Sequence, residues 1–349
     1  MRWIHFAAAA LLVGVFSFRL FVGDPAFREA ARAGCGVEPS ALTGRLARIA
    51  VAALFLIFLS GTLWLLLQAS VMSGQPVSGV LLHGVMSTVV LRTQAGHDWL
   101  GRGGLLALLA IVLVLMRERL QDRPRGPLVI ALTLAAAELS ALVWAGHAGA
   151  ARGARGALEQ TADAVHLLAA GVWLGGLVPL ALLLATARRA GDGGWLVVAG
   201  SAATRFSTLG ILSVATLIAT GIANSWFLVG DLAGLLSTDY GRCLLLKLGL
   251  VGVMIGVASV NRIRLVPRLP SARVALGSDP AWKTVRELQR NTAIEVGLGL
   301  LILGVVGVLG TLPPALHPHI HAGSRGTVDQ SYVFVRIERS LVPKATSAQ

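Results

Sequence analysis

Long apolar runs recur along the whole chain and are separated by short polar stretches. Eight of them have about the 20 residues that an α-helix needs to cross the hydrocarbon core of a bilayer. Their predicted limits are 3–22, 46–70, 99–116, 127–146, 161–187, 203–230, 242–261 and 291–312. None alternates over about ten residues, as membrane β-strands do. The pattern therefore predicts an all-α integral membrane protein, a bundle of about eight transmembrane helices.

One further apolar stretch, residues 77–92, is shorter than the eight runs. Its sequence, VSGVLLHGVMSTVVLR, is too short to span comfortably. We interpret it as an interfacial or re-entrant helix. The run 3–22 follows one basic residue and has no clear cleavage site, so it is predicted to be a retained span and not a signal peptide.

Small residues inside the runs predict how the helices pack. No long internal repeat is evident in the sequence. Two G-x-x-x-G pairs, Gly171 with Gly175 and Gly252 with Gly256, are of the kind that allows close helix approach in membranes. Such pairs are common in membrane helices, so they indicate packing and not a particular function.

The charge pattern predicts the orientation of the bundle. The net charge of +13 could suggest a nucleic-acid partner, but the basic residues lie in alternate short loops between the apolar runs. Those loops carry Arg28, Arg32, Arg45, Arg117, Arg119, Arg123, Arg125, Arg188, Arg189, Arg262, Arg264, Arg268, Arg273, Lys283 and Arg286. The intervening loops carry only Arg92, Arg152 and Arg155. The positive-inside rule therefore places both termini on the periplasmic side of a bacterial inner membrane, with no role for nucleic acid.

The predicted organisation is one transmembrane domain over 1–312 and a periplasmic, histidine-containing tail over 313–349. No soluble domain of any size is visible. The chain has two cysteines, Cys35 and Cys243, which are too few for a disulfide framework or a thiolate zinc site. They are predicted to lie on opposite sides of the membrane and so cannot pair.

The histidines are segregated in this topology. All eight fall in the predicted outer half: His5, His83, His97, His147, His166, His317, His319 and His321. Imidazole is a common ligand of copper and zinc, so the set favours metal handling at the external face. The alternative for a single residue is a ring that merely lies at the interface. For His5 we favour that alternative.

Asp163 and His166 are three residues apart at the start of the fifth run, so they share one helix face. His147 ends the preceding run across a short loop, which predicts that the three residues lie close together. Asp163 could ligate a metal or orient the imidazole. Its alternative role is that of a helix N-cap.

Two weaker metal motifs lie elsewhere. His83 and Met86 share a helix face and could form a soft site for Cu(I), although a methionine on an apolar face more often packs. In the sequence HPHIH, the residues His317, His319 and His321 alternate, so an extended backbone would project them to one side. Short histidine-rich tracts are typical of metal binding.

Further polar residues within the runs include Glu138 in the fourth, Asn224 in the sixth, Lys247 in the seventh and Glu295 in the eighth; the first three are candidates for a shared role. Polar and ionisable groups are expensive inside a membrane and usually have a partner and a function. We predict that these three belong to a translocation path. Lys247 could instead reach the interface, or pair with Asp239 or Glu138.

Several motifs occur in order along the chain. They are GHA at 146–148, ADAVHLLAAGVWLGGL at 162–177, FSTLG at 206–210, TGIAN at 220–224, YGRCLLLK at 240–247, NRIRLVPRL at 261–269 and GTLPPALH at 310–317. With them, the region from about 130 to 320 resembles the copper resistance protein D (CopD) family of bacterial inner-membrane proteins. The first 125 residues match less distinctively, mainly through VLRTQAGHDWLGR at 90–102.

The resemblance implies an eight-helix protein linked to copper resistance or uptake. It also implies a periplasmic copper-binding partner of the CopC type, which this chain does not carry as a fusion. Carried over to this sequence, the metal-handling positions are His147, His166 and Asp163, with His317 as a weaker member.

The leading functional prediction is copper binding at the periplasmic face and movement of copper toward the cytoplasm. The sequence has no ATP-binding loop or other energy-coupling motif, so it does not predict a primary pump. We favour a transporter or metal-binding membrane protein over an enzyme. The alternative is a haem b reductase that supplies electrons for periplasmic copper reduction, with His147, His166 and either His83 or His97 as haem ligands. A third possibility is a scaffold whose histidines are merely interfacial.

Overall fold

The computed structural model describes residues 1–82, 84–115, 125–145, 153–228, 232–269 and 279–312. In these ranges the regular structure is helical, and eight helices are long and apolar enough to cross a membrane. They are α1 (Arg2–Arg32), α2 (Ser40–Ser73), α3 (Gln94–Leu115), α4 (Arg125–Trp144), α5 (Gly153–Ala190), α6 (Gly193–Leu228), α7 (Asp239–Arg268) and α8 (Asp279–Leu309). The predicted fold class and number of spans are confirmed. Several helices begin before their apolar runs because polar turns precede them; α5 begins at Gly153 and α8 at Asp279, whereas the runs were predicted to begin at 161 and 291.

The short apolar stretch 77–92 does not form a further span. It contains two helices, Val77–Leu82 and Val85–Arg92. Val80 and Val89 pack against Leu65 and Ala69 near the end of α2. The prediction that this stretch does not cross the bilayer as a helix is therefore confirmed, while its interfacial position stays a prediction.

Consecutive spans run in opposite directions. His5 near the start of α1 contacts Ser60 in the second half of α2. Arg102 near the start of α3 contacts Glu138 near the end of α4.

Two contacts between more distant spans extend this order to the rest of the bundle. Arg45 at the start of α2 donates a hydrogen bond to Thr186 near the end of α5, at 3.5 Å. Arg2 at the start of α1 donates to the carbonyl of Gly310, just after α8. Helices α1, α3, α5 and α7 thus begin at one end of the bundle, which we call the N-terminal end.

The basic loop residues lie at the opposite end, which we call the basic end. Its described members are Arg28, Arg32, Arg45, Arg125, Arg188, Arg189, Arg262, Arg264, Arg268, Lys283 and Arg286. Arg188, for example, donates to Gln289 at 2.5 Å and so joins the end of α5 to the first half of α8. The charge separation that the sequence predicted is present, and the assignment of the basic end to the cytoplasm remains a prediction.

Helices α1 and α5 form the centre of the bundle and cross with their backbones in contact. Gly14 and Gly175 meet at the crossing, where a methyl group on Gly175 would overlap the carbonyl of Ala10 and lie 3.1 Å from the Cα of Gly14. Small residues allow this approach. Gly252 and Gly256, by contrast, have no described atom within 4 Å of where a methyl group would lie. Of the two predicted glycine pairs, only the first mediates a helix contact among the described residues.

Gly175→Ala is expected to destabilise the protein by about 3 kcal/mol or more, because the overlapping atoms belong to the backbone and cannot change rotamer. Gly252→Ala is the matched control and should leave stability within about 1 kcal/mol. The measurement is thermal unfolding of both variants in detergent. Equal melting temperatures for the two variants would contradict the close crossing.

Candidate functional site

His166 has one ring nitrogen committed to a hydrogen bond and one available. Its Nδ1 lies 2.9 Å from the hydroxyl of Thr220 on α6. That hydroxyl donates its own proton to the carbonyl of Thr216, at 2.7 Å. Nδ1–H of His166 is therefore the donor to Thr220, and Nε2 keeps its lone pair. No hydrogen bond to Nε2 is formed by the described residues, so this nitrogen is oriented and free to bind a metal ion.

Three further polar side chains surround His166. Asn224 on α6 donates through Nδ2 to Oδ1 of Asp163 at 3.4 Å, and its buried carbonyl oxygen has no partner among the described residues. Lys247 on α7 is close enough for its charge to act on both Asp163 and His166. We call Asp163, His166, Thr220, Asn224 and Lys247 the His166 cluster. The cluster is half-buried between α5, α6 and α7 and lies toward the N-terminal end of the bundle.

The structure thus brings together four of the residues that the sequence singled out: Asp163, His166, Asn224 and Lys247. It also shows that the N-cap alternative for Asp163 is wrong, because α5 begins at Gly153, well before this residue. Thr220 was not predicted as a site residue. The motif TGIAN contained it, but a threonine inside an apolar helix carries no sign of what its hydroxyl contacts.

A second polar cluster lies in the first four helices and contains His5, Ser60, Arg102 and Glu138. Ser60 donates to the carbonyl of Leu56 at 2.5 Å, so Nδ1–H of His5 donates to Ser60, at 2.8 Å. Nε2 of His5 accepts a hydrogen bond from Nη2 of Arg102. The same Nη2 lies 2.5 Å from Oε1 of Glu138. We call these four residues the His5 cluster.

The His5 cluster corrects two sequence-based interpretations. His5 is 1% exposed, so its interfacial interpretation is wrong. Glu138 pairs with Arg102 and not with Lys247, and Asp239, the other suggested partner of Lys247, forms an ion pair with Arg242 at 3.6 Å. Arg102 was missed because it is a single charge within an apolar run, where its side-chain direction cannot be read.

The structure describes only one of the other residues predicted to bind metal. His83, His147, His317, His319 and His321 lie outside the described residues, so their roles stay predictions. Met86 is half-buried and packs against the apolar cluster of Leu65 and Val80. In the described ranges, no group of three or more His, Cys, Asp or Glu side chains is placed to hold a metal ion. The described His, Cys, Asp and Glu side chains therefore do not by themselves form a three-ligand metal site.

A cavity of about 320 Å³ lies between α5, α6, α7 and α8. It extends from Ile218, two residues before Thr220, to Arg262 at the basic end. Its wall is mostly apolar and contains no histidine, cysteine or methionine. At its far end Asn261 donates to Oε1 of Glu295 at 2.6 Å and accepts from Asn291 at 2.8 Å. The cavity offers space along the bundle, and its lining offers none of the usual soft ligands of copper.

Two family models match the chain. Residues 1–157 match the model described as "Copper resistance protein D-like, N-terminal domain", and residues 200–309 match "Copper resistance protein D". No solved structure matches the chain. The first match covers the part of the chain in which the sequence motifs were least distinctive.

Three relatives are similar over much of the chain. Copper resistance protein D of Pseudomonas syringae pv. tomato is 31% identical, over 65% of this chain and 71% of the relative. Inner membrane protein YebZ of Escherichia coli (strain K12) is 29% identical, over 90% of this chain and 97% of the relative. Copper transport protein CutJ of Bacillus subtilis (strain 168) is 25% identical, over 74% of this chain and 45% of the relative.

These matches agree with the eight apolar helices and with the motifs found in the sequence. Copper involvement follows from the family, whereas no finding supports the haem alternative. The chain belongs to the copper resistance protein D family and is a multi-pass protein of the inner membrane.

Proposed function

We propose that the protein takes copper at the periplasmic face and passes it through the C-terminal half of the bundle toward the cytoplasm. The observation that carries this proposal is the free Nε2 of His166, which Thr220 holds in place beside Asp163 and Asn224. An oriented imidazole beside a carboxylate and an unpartnered amide oxygen provides nitrogen and oxygen donors, which suit Cu²⁺.

Lys247 gives the His166 cluster a counter-charge when copper is absent. The ammonium acts on Asp163 without forming a direct ion pair among the described residues. Its four-carbon stem is flexible, so the ammonium can withdraw when a metal cation approaches the carboxylate. Lys247 and copper would then be alternative partners of Asp163.

The cavity between α5 and α8 is the proposed route from the His166 cluster. It begins beside Ile218, on the helix that carries Thr220 and Asn224, and ends at Asn261, Arg262 and Glu295 near the basic end. Because its walls carry no soft ligand, copper would be held only at its two polar ends. Weak binding along a path favours release over retention.

Residues outside the described ranges complete the proposal. His147 precedes α5 by a short segment and is expected to supply a second imidazole to the His166 cluster. The tail residues His317, His319 and His321 are expected to collect copper in the periplasm. A CopC-type protein is the expected donor, and the name of the relative CutJ, a copper transport protein, supports movement of the ion.

Uptake into membrane vesicles tests the proposed direction. Right-side-out vesicles that contain the protein should accumulate external copper faster than vesicles from cells that lack it, and inside-out vesicles should not. The measurement is vesicle copper content with time, with Mg²⁺ as the control ion. Equal copper entry in both vesicle orientations, or none that depends on the protein, would contradict the proposal.

A further inference from the structure

The two halves of the bundle, α1 to α4 and α5 to α8, repeat the same arrangement around a histidine. His5 and Ser60 are 55 residues apart, and His166 and Thr220 are 54 residues apart. In both pairs Nδ1–H donates to a hydroxyl on the next span, and that hydroxyl donates to the carbonyl four residues before it. In both halves the ring is thereby fixed with Nε2 carrying the lone pair.

Glycines occupy matching positions in the two halves. Gly61 follows Ser60, and a methyl group there would lie 3.2 Å from Cε1 of His5. Gly221 follows Thr220, and the same group would lie 3.7 Å from Cε1 of His166. In both halves, therefore, the histidine ring lies against a glycine that leaves room for it.

The two halves meet at equivalent residues. Gly14 lies nine residues after His5, and Gly175 lies nine residues after His166. These two glycines contact each other where α1 crosses α5. Because the two contacting residues occupy matching positions, a pseudo-two-fold axis passes through the crossing. Each half has an even number of spans, so the two halves have the same orientation in the membrane.

The third helix of each half continues the match. Thr93 accepts a hydrogen bond from the backbone N–H of Gly96 at the start of α3, at 3.1 Å. Thr238 accepts one from Gly241 at the start of α7, at 3.0 Å. A basic residue follows nine positions after each threonine.

That basic residue is Arg102 in the first half and Lys247 in the second. Most of the additional length of the first half lies between its second and third spans, where helices Val77–Leu82 and Val85–Arg92 are found. This insertion shifts the register between the halves, which is why the sequence shows no obvious repeat.

Arg102 and Lys247 differ in their hydrogen-bond partners. Nη2 of Arg102 donates to Nε2 of His5 and to Oε1 of Glu138. Imidazole nitrogen and carboxylate oxygen are both metal ligands, and here one guanidinium nitrogen lies between them. Nε2 of His166, in the half that carries Lys247, has no such partner among the described residues.

We propose that the N-terminal half contains a counterpart of the His166 site, built on the same pair of histidine and hydroxyl but with Glu138 of the fourth span as its carboxylate, in which Arg102 fills the position of the metal ion. The basic residue of the third helix then decides whether a half binds metal: arginine closes the site and lysine leaves it open. Copper is bound by one half of the bundle only. The statement about His5 does not depend on copper transport, whereas its counterpart for Lys247 rests on the proposed function.

Arg102→Lys tests the closed site directly. Lysine keeps a positive charge beside Glu138 but releases Nε2 of His5, as Lys247 does in the other half. The purified variant should bind one more Cu²⁺ per chain than the unmodified protein, measured as metal content after desalting and as nitrogen coupling in its electron paramagnetic resonance spectrum. The added ion should be absent from the Arg102→Lys, His5→Ala double variant.

The outcomes separate the two proposals. A folded Arg102→Lys variant with no added Cu²⁺ would overturn the closed site, even if the protein transports copper. An added, His5-dependent ion would support it, even if the His166 cluster binds none.

If the Arg102→Lys variant does not fold, the reciprocal variant Lys247→Arg tests the same proposal. Its guanidinium should close the second site, so loss of the His166-dependent Cu²⁺ is expected. Unchanged Cu²⁺ binding by that variant would overturn the proposal.

Discussion

His166→Ala is expected to weaken binding of Cu²⁺ to the helical bundle by more than about 100-fold. Loss of an outer partner of a metal ligand already costs about 10- to 100-fold, and this substitution removes the ligand itself. The measurement is a Cu²⁺ titration of purified protein in which His317, His319 and His321 are alanine, so that the tail does not contribute. Copper accumulation in cells should fall in parallel.

Two further variants complete this experiment, one as a control and one with an intermediate expected effect on Cu²⁺ binding. His97→Ala removes an exposed imidazole whose ring nitrogen is hydrogen-bonded to the carbonyl of Leu91, and this variant should bind Cu²⁺ normally. Thr220→Val removes the acceptor that orients His166 and should weaken binding by about 10- to 100-fold. Unchanged binding in His166→Ala would exclude this residue as a ligand.

Glu138→Ala is expected to destabilise the protein by about 3–5 kcal/mol. The substitution leaves the Arg102 guanidinium without its carboxylate, in a place where the two side chains are only 12% and 1% exposed. Removing one partner of a buried ion pair is strongly destabilising, because it leaves an uncompensated charge in the interior. The free energy of unfolding in mixed micelles is the quantity to measure.

An exposed ion pair provides the matched control. Glu29 and Arg205 are 3.2 Å apart, but their side chains are 46% and 42% exposed, so Glu29→Ala should cost no more than about 1 kcal/mol. The double variant Arg102→Met, Glu138→Leu should lose less than either single substitution, because no charge is left alone. A cost below about 1 kcal/mol for Glu138→Ala would show that Arg102 finds another partner.

Local features of the sequence were sufficient for much of the architecture. The length of an apolar run decides whether a helix can cross the bilayer, so the eight spans and the exclusion of 77–92 could be predicted. The period of the helix places Asp163 and His166 on one face, and this part of the candidate site was also predicted. Both properties depend only on residues that are near one another along the chain.

Contacts between distant helices could not be predicted in this way. Arg102 and Glu138 are 36 residues apart, and His5 and Arg102 are 97 residues apart. A hydropathy pattern shows that such residues lie in spans but not which neighbouring helix each one faces. The burial of His5, the partner of Glu138 and the role of Thr220 therefore emerged only from the packing.

The amino-acid sequence by itself determined that this protein is a membrane bundle of eight helices, because hydrophobicity and helical period act locally. Only the tertiary structure decided that the bundle consists of two matching halves. Their shared pattern rests on single residues in separate helices, brought together where Gly14 meets Gly175. Those contacts leave one histidine nitrogen open and fill the position beside the other with arginine.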